Sequence, residues 1–195
     1  MKFSVIIVAY NEEKRLENCL KQFIDYTDDF VVLDTESQDG TNRIAKKFTD
    51  KVYLVPYIAT PDPYYEPAML RANYDWCLLS CPDEYWDQDC LRNLSKFDKE
   101  DIDAVKFHRF DNGKDDGYHV RLLRKGKVMI TDLLDWWENS GARMVSSDYV
   151  IKHERTEEDI RRSKQFRKDS SVYIKQKYRF TNLEPYKSRI VCMPY

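Results

Sequence analysis

The chain has few of the features that mark membrane-spanning, disulfide-linked or nucleic-acid-binding proteins. Its 195 residues contain no apolar run near the ~20 residues that a membrane-spanning helix needs. Its five cysteines include no CxxC pair, and this odd set favours buried reduced thiols over a disulfide framework. The formal net charge of −2 provides no strong field to attract nucleic acid or an anionic membrane. These absences favour a globular protein with no nucleic-acid partner.

The start of the chain does not resemble a secretory signal. Lys2 is followed by an apolar run that is too short for a signal peptide. The chain also has no internal repeat and no low-complexity tract. We therefore expect a cytoplasmic protein without a transmembrane segment. Its length suits one domain with a sizeable core.

Two strand-to-helix units open the sequence. The apolar run from Phe3 to Val8 predicts a buried strand, and Asn11 is expected to cap a helix that extends to about Ile24. The run from Phe30 to Leu33 predicts a second strand, and residues 37–41 form the turn into a second helix. In open α/β sheets, ligands bind beyond the carboxyl ends of the strands. The polar residues at these strand ends are therefore the first candidates for a site.

The later sequence predicts a continuing sheet interrupted by one long loop. The segment from Pro56 to Pro67 contains four prolines and three tyrosines, so it is predicted to be irregular and could act as a lid. The other predicted elements are short strands at 51–55 and 76–79, a helical stretch at 88–97, antiparallel strands at 104–110 and 118–124 around a turn at 111–113, and a charged helix after the capping box at 156–159. The pattern is that of an α/β fold.

Acidic side chains follow three of the predicted strands. They converge if the first, second and fourth strands are neighbours in a parallel sheet. Their oxygens could accept hydrogen bonds from ribose hydroxyls and base N–H groups, and hard oxygen ligands suit Mg²⁺ or Mn²⁺. The same residue types also cap helices and turns. The residues are Asn11 with Glu12, Asp34 with Glu36, and Asp83 with Glu84.

Four segments in order along the chain match the pattern of a known family. They are Ser4-Val-Ile-Ile-Val-Ala-Tyr-Asn-Glu-Glu13, Val31-Val-Leu-Asp-Thr-Glu-Ser-Gln-Asp-Gly-Thr41, Asp75-Trp-Cys-Leu-Leu-Ser-Cys-Pro-Asp-Glu84 and Tyr118-His-Val-Arg-Leu-Leu-Arg-Lys-Gly-Lys127. Together they resemble the family 2 glycosyltransferases of GT-A fold. The last segment resembles the Arg-Leu-Phe-Arg stretch of the branch that modifies lipopolysaccharide cores and related glycans. The match extends from residue 3 to about 155.

This resemblance implies the architecture of the whole chain. A GT-A domain would occupy residues 1–155, with a nucleotide-sugar half at about 1–97 and an acceptor half at about 98–155. Its Rossmann-like central sheet would be mostly parallel and flanked by helices, with a smaller antiparallel portion in the C-terminal half. Residues 156–195 would form a C-terminal helix and an irregular tail packed on the same domain.

The resemblance also implies an inverting glycosyltransferase. It would move a sugar from a nucleotide-sugar donor, with UDP favoured, to a hydroxyl of a glycan or glycolipid acceptor. Mn²⁺ or Mg²⁺ would bridge the diphosphate and stabilise the departing negative charge. Carried over to this sequence, the nucleotide-binding residues would be Ala9, Tyr10, Glu12, Asp34 and Asp83, and the metal ligands would be Asp83 and His153.

The general base of such a reaction would be a carboxylate after the Arg-Leu segment. Asp135 is nearest the family's position, with Asp132 and Glu138 as rivals. Trp136 and Trp137 could form the floor of an acceptor-sugar subsite or pack a helix onto the sheet.

Two features leave alternatives open. Cys81 occupies the place of the family's first metal-site acid, and a thiol binds Mn²⁺ or Mg²⁺ poorly. The alternative is a non-catalytic GT-A-like module that binds a sugar nucleotide or scaffolds a partner.

A nucleotidyltransferase is disfavoured because the segment Ala9 to Glu13 is acidic, whereas such enzymes need a glycine-rich basic loop there. The basic residues after Thr156 could contact an anionic lipid surface peripherally or form a solvated face.

Overall fold

The computed structural model of the chain describes residues 1–57, 62–128, 142–161 and 164. These residues form one mixed eight-stranded sheet, with helices packed against it. The elements are β1 (Phe3–Ala9), α1 (Leu16–Lys21), β2 (Phe30–Asp34), α2 (Thr41–Ala45), β3 (Val52–Leu54), α3 (Asp62–Arg71), β4 (Trp76–Ser80), β5 (Glu84–Trp86), α4 (Gln88–Arg92), a 3₁₀ turn (Leu94–Phe97), β6 (Ala104–Asp111), β7 (Lys114–Arg124) and β8 (Met144–His153).

The N-terminal half of the sheet is parallel, in the order β3-β2-β1-β4. Strand β1 lies between β2 and β4, with Ala9 opposite Asp34 and Ile7 opposite Ser80. Every residue of β2 and β4 is buried, as is usual for parallel strands covered on both faces. The first, second and fourth strands are therefore neighbours, which is the condition under which the acidic strand ends converge, and their carboxyl ends lie side by side.

The C-terminal half is mixed and continues the sheet as β7-β6-β8-β5. Strands β6 and β7 form the predicted antiparallel hairpin, and Asn112 and Gly113 both have positive φ at its two-residue turn. Strand β8 runs parallel to β6 and antiparallel to β5. The sequence does not predict β5 or β8, because β5 has three residues and the burial of β8 follows no strict alternation.

The core lies on both faces of the sheet. Leu16, Cys19 and Leu20 of helix α1 pack on one face of the sheet, together with Phe23, which follows the helix. Cys19, Cys77 and Cys90 are buried free thiols, and Cys81 is a partly buried one. In the parts of the chain that the structure describes, no helix has the length and apolarity to cross a membrane.

Helix α1 is shorter than predicted, because Asn11 does not cap it. Asn11 has a left-handed backbone with φ 54°, which takes the chain out of helical geometry. Its side-chain oxygen accepts the Gln38 N–H at 2.7 Å, and its own N–H donates to Ser37 Oγ at 2.9 Å. The helix begins at Leu16 instead, so the residues before it can form hydrogen bonds with the loop after β2.

The prediction that residues 56–67 are irregular is wrong for the second part of this segment, where helix α3 begins at Asp62. Pro67 lies inside this helix despite lacking an N–H. The helix buries Tyr64, Tyr65, Ala68 and Met69 in the core on the face opposite α1. Such tertiary packing supplies most of the stability of short helices and here outweighs the lost hydrogen bond.

A buried ionic cluster joins β5 to the hairpin of β6 and β7. The Glu84 carboxylate is fully buried, and its Oε1 lies 2.6 Å from Arg121 Nη2 and 3.3 Å from Arg109 Nη1. Its Oε2 accepts the backbone N–H of Cys81 at 3.0 Å. Arg109 also pairs with Asp116. Glu84 thus holds the turn between β4 and β5 against the hairpin.

This cluster keeps Glu84 ionised. Burial alone raises the pKa of a carboxyl, but the positive charge and hydrogen bonds of Arg121, helped by Arg109, lower the pKa of Glu84 to about 2. The negative Glu84 in turn raises the pKa of Arg121 against the effect of burial. Both charges therefore persist inside the protein, and each depends on the other.

Arg121→Met should lower the free energy of unfolding by about 3–5 kcal/mol, because it leaves a buried carboxylate without its main partner. The double change Glu84→Gln with Arg121→Met removes both charges and should recover much of that loss. Urea unfolding monitored by circular dichroism measures both effects. Arg92→Met is the matched control, because Arg92 and Asp89 form an exposed pair whose loss should leave the free energy of unfolding nearly unchanged.

The pH dependence of unfolding checks the same pair. The folded pKa of Glu84 is depressed, so its contribution is fully present above the unfolded value of about 4.3 and is lost as the pH falls towards 2. Glu84→Gln should therefore flatten the decline in stability between pH 4.5 and pH 2. An identical decline in the variant and the unchanged protein would contradict the assignment.

Candidate functional site

The loops after β1 and β2 are tied to each other by side-chain hydrogen bonds. Asp34 Oδ1 accepts the Ser37 N–H at 2.9 Å, which turns the chain sharply after β2. The Glu12 N–H donates to Thr41 Oγ1 at 2.7 Å, and Glu13 Oε2 accepts the Gly40 N–H at 2.7 Å. Together with the Asn11 contacts, these hydrogen bonds hold the two loops in one fixed arrangement, which we call the frame.

A cavity of about 740 Å³ opens beside this frame. The rings of Tyr10 and Tyr57 meet there, with centroids 4.3 Å apart. The Nδ2 atom of Asn42 is buried and has no hydrogen-bond partner among the residues that the structure describes. An unpaired buried donor is unusual and suits a ligand acceptor atom. The cavity is lined by Tyr10, Asp34, Glu36, Ser37, Gln38, Asn42, Leu54 and Tyr57.

The predicted nucleotide-binding residues occupy different positions around this cavity. Tyr10 and Asp34 line it. The Ala9 side chain lies in the core, and its carbonyl accepts hydrogen bonds from the N–H and the hydroxyl of Thr35. The carbonyl of Glu12 accepts from Leu16 at the start of α1, and its carboxylate lies 3.7 Å from Arg15.

Asp83 and His153 meet although they are 70 positions apart in the sequence. Strand β5 pairs with the end of β8 so that Glu84 lies opposite His153, and the Glu154 N–H donates to the Asp83 carbonyl at 3.0 Å. This pairing places Asp83 Oδ2 2.9 Å from His153 Nε2. The structure therefore brings together the two residues predicted as metal ligands.

The second ring nitrogen of His153 faces another carboxylate. Nδ1 is buried, has no hydrogen-bond partner in the described part of the chain, and lies 3.7 Å from Asp111 Oδ1. Arg155 holds Asp111 through an ion pair, which fixes its orientation. Histidines that bind metals commonly have a carboxylate behind the nitrogen that does not bind the metal. His153 has such a carboxylate, that of Asp111, behind Nδ1.

The ligand atoms of Asp83 and His153 fit a metal ion whose other ligands come from a bound substrate. Across residues 1–57, 62–128 and 142–161, no group of three or more His, Cys, Asp or Glu side chains is placed to hold a metal ion. Mg²⁺ is usually bound by one or two carboxylates together with substrate phosphates, rather than by an all-protein cage. Asp83 and His153 suit such a site because they supply two ligand atoms and leave the rest to a ligand.

Two neighbours of Asp83 are poor candidates for metal binding. Both carboxylate oxygens of Glu84 are engaged by Arg121, Arg109 and the Cys81 N–H, so the suggested ligand role of Glu84 is not supported. Burial, reinforced by the negative Glu84, raises the pKa of the Cys81 thiol well above its ordinary value. A protonated thiol is a weak ligand.

A second cavity, of about 760 Å³, adjoins His153. Arg15, Arg155 and Lys152 line it together with the aromatic rings of Tyr85 and Phe110. Two of its cations are paired, Arg15 with Asp159 at 2.5 Å and Arg155 with Asp111. The cavity therefore combines aromatic faces with largely balanced charge.

The start of the C-terminal helix borders this cavity. Thr156 and Asp159 form the predicted cap, with the Thr156 N–H 2.7 Å from Asp159 Oδ2. Burial opposes these contacts, but the bonds from Arg15 and Thr156 lower the pKa of Asp159 to about 2. The rest of the helix predicted after Thr156 lies outside the described residues.

The predicted general base also lies outside the described residues. This applies to Asp135, to its rivals Asp132 and Glu138, and to Trp136 and Trp137.

Sequence reasoning missed several residues of the two cavities. Asn42 follows the turn at 37–41 and could have been found from the resemblance of that segment, whereas Tyr57 lies in the segment interpreted as a lid. Arg15 and Lys152 carry no local signal, because their positions depend on contacts with distant segments.

Comparison with known proteins shows the family. The model of "Glycosyl transferase family 2" matches residues 4–181. An uncharacterised glycosyltransferase of Rickettsia conorii is 29% identical over 122 residues, which are 63% of this chain and 40% of that protein. One from Rickettsia typhi is 37% identical over 57 residues, 29% of this chain and 20% of its own length. The match thus spans only two fifths or less of these curated relatives.

Two solved structures share the fold. TarS 1–349 of S. aureus, crystallised with UDP-GlcNAc, has a TM-score of 0.63 at 18% identity, covering 80% of this chain and 59% of that one. Glucosyl-3-phosphoglycerate synthase of Mycobacterium tuberculosis, crystallised with Mn²⁺ and UDP-glucose, has a TM-score of 0.57 at 16% identity, covering 82% and 73%. The expected GT-A fold is confirmed, and the chain belongs to glycosyl transferase family 2.

Proposed function

We propose that this chain is a metal-assisted, inverting glycosyltransferase that moves a sugar from a UDP-sugar to a hydroxyl of a glycan or glycolipid. The observation that carries the proposal is the contact between Asp83 and His153, at the edge of the sheet where Tyr10 and Asp34 line a cavity. Asp83 comes three residues after the end of β4, and β4 lies next to β1, which is followed directly by Tyr10. This arrangement suits a nucleoside in the cavity and its diphosphate near Asp83.

The nucleoside half of the donor would occupy the cavity of about 740 Å³. A flat base can stack on the ring of Tyr10 or Tyr57, because aromatic faces favour such offset contacts. The Asp34 carboxylate can accept hydrogen bonds from a base N–H or a ribose hydroxyl. The unpaired Asn42 Nδ2 can donate to a base carbonyl. A base such as uracil carries both kinds of group.

Asp83 and His153 would hold the Mn²⁺ or Mg²⁺ ion, which supplies positive charge to the diphosphate leaving group. Asp111 would orient the His153 ring through Nδ1, and Arg155 would hold Asp111. Glu84 would act indirectly, by keeping the turn of residues 81–83 in place. The two crystal structures with bound UDP-sugars support a donor of this class by analogy of fold alone.

Asp135 would take the proton from the acceptor hydroxyl as general base, with Asp132 and Glu138 as rivals. Attack of that hydroxyl on the face opposite the nucleotide would invert the anomeric carbon. The placement in the cytoplasm and the peripheral membrane contact stay predictions from the sequence.

The alternative is a GT-A-like protein that binds a sugar nucleotide without turning it over. The protonated Cys81 favours it, because this position carries an acid in the family pattern. Slow release of free sugar, or its transfer over hours, would separate an enzyme from a binding protein.

Asp83→Asn and His153→Gln should each weaken Mn²⁺-dependent binding of UDP by about tenfold or more, since each removes one of two protein ligands. Isothermal titration with UDP, with and without Mn²⁺, measures the effect. Asp89→Asn changes an exposed carboxylate on α4 and serves as the control. Equal Mn²⁺ dependence in Asp83→Asn and the unchanged protein would exclude the proposed metal site.

Asn42→Ala should weaken UDP binding roughly three- to tenfold, the value of one hydrogen bond, while leaving the thermal unfolding midpoint unchanged. The reason is that Nδ2 makes no hydrogen bond to any described residue, so its removal breaks no hydrogen bond there. Titration with UDP and thermal unfolding give the two readouts. A lower midpoint with unchanged UDP affinity would assign Asn42 to the fold instead.

Asp135→Asn should leave UDP affinity intact but lower the rate of sugar transfer by about 10²–10⁴-fold, the usual contribution of a general base. The assay measures UDP release with an accepted glycan. Asp132→Asn and Glu138→Gln, made in parallel, should retain far more activity. Unchanged turnover in Asp135→Asn would reject this assignment and move the role to one of the rivals.

A further inference from the structure

Four strands expose a row of aromatic and polar side chains on one face of the sheet. In register across β7, β6 and β8, Tyr118 lies opposite His108, which lies opposite Val150. One step further along, Phe110 of β6 lies opposite Lys152 of β8, which lies opposite Tyr85 of β5. Residues in register on neighbouring strands share a face. We call these six residues the aromatic face.

The rings of the aromatic face are ordered among themselves and open to solvent. His108 stacks on Tyr118 with centroids 4.9 Å apart and planes 15° apart, and Phe110 lies 4.8 Å from His108. Tyr118 and Tyr85 are 54% and 43% exposed. Large exposed aromatic side chains that are already held in place suit binding, because little conformational entropy is lost when a ligand covers them.

The dimensions of this face suit a short carbohydrate chain. Four strands span about 14 Å from β7 to β5, and the two rows of side chains are about 7 Å apart. A pyranose ring offers one apolar face of C–H groups, which packs on aromatic rings, and hydroxyls around its edge. Two or three linked sugar rings would cover such an area.

Polar groups at the edges of the aromatic face balance in charge. Asp115 lies opposite Phe110 on β7, and its Oδ1 is 2.7 Å from His108 Nε2. Lys152 contributes a positive charge on the other side of Phe110. A carboxylate and an ammonium group can accept from and donate to sugar hydroxyls. With charges of both signs, the face favours a neutral glycan over a polyanion.

The aromatic face leads into the candidate active site. Tyr85, Phe110, Val150 and Lys152 also line the cavity of about 760 Å³ that reaches His153. His153 is in turn 2.9 Å from Asp83. The His153 side chain follows Lys152 and therefore points to the opposite face. A glycan lying across the aromatic face would run to the end of β8, where the cavity connects it with His153 and the place proposed for the donor diphosphate.

We infer that the aromatic face is the binding site for an acceptor glycan, a neutral chain of at least two sugar residues. The assignment of this glycan as an acceptor rests on the proposed glycosyltransferase function, and it names the substrate class. Tyr118 and Tyr85 stack on sugar rings at a distance from the reacting hydroxyl, while Lys152 and Asp115 bind hydroxyl groups.

Binding to a printed glycan array, without any donor, tests the site separately from catalysis. The fluorescently labelled protein should retain neutral glycans of two or more sugars. Titration of the strongest of them should give a Kd about tenfold weaker for Tyr118→Ala and for Tyr85→Ala, because each loses one stacking contact. Tyr118→Phe keeps the ring and should bind nearly as well as the unchanged protein.

Leu70→Ala is the matched control. Leu70 is 68% exposed on α3, so the change removes a similar exposed apolar group outside the aromatic face. UDP affinity and the thermal unfolding midpoint should be unchanged in all four variants, which separates a local effect from unfolding.

Three outcomes would overturn the inference: no neutral glycan retained, retention of anionic glycans or anionic vesicles alone, or equal weakening by Leu70→Ala. Glycan binding without UDP binding or transfer would instead keep the site and reject the proposed enzyme. UDP binding and transfer with unchanged kinetics in Tyr118→Ala and Tyr85→Ala would keep the enzyme and reject the site.

Discussion

The buried pairing of Glu84 with Arg121 is the constraint on which the candidate metal site depends. Neither charge can remain in the interior without the other, so β5 is fixed against β7 wherever the protein is folded. Through its second oxygen, Glu84 also holds the backbone of Cys81. The short turn that follows β4 is therefore anchored at its first residue and immediately after Asp83. This anchoring leaves the Asp83 carboxylate directed at His153.

The side of the site that we propose for the donor depends instead on hydrogen bonds between two loops. The loops after β1 and β2 exchange bonds through Asn11, Ser37 and Thr41, so the frame of the cavity is formed before any ligand arrives. Within this well-bonded region, the unpaired atoms are informative. Asn42 Nδ2 beside one cavity and His153 Nδ1 beside the other are buried without a hydrogen-bond partner in the described ranges of the chain. Proteins rarely leave such atoms unsatisfied, and the exceptions tend to occur at functional sites.

Cys81 departs from the family pattern without disturbing this geometry. Its backbone N–H binds Glu84, a contact that any residue other than proline could make, so a thiol can replace an acid here without loss of the turn. What changes is charge, because the raised pKa keeps the thiol neutral. The site consequently has one negative group fewer beside Asp83. The departure bears on the proposed metal site, and the fold does not depend on it.

The sequence by itself determined the two opening strand-to-helix units and the β6–β7 hairpin, because apolar periodicity and turn residues act locally. Residue type and the family resemblance also singled out Asp34, Asp83 and His153. Only the tertiary structure decided that Asn11 leaves the helix, that α3 accommodates Pro67, and that Glu84 binds arginines. These outcomes depend on partners far away in the chain, such as Gln38 for Asn11 and Arg121 for Glu84, and no local pattern encodes contacts over such separations.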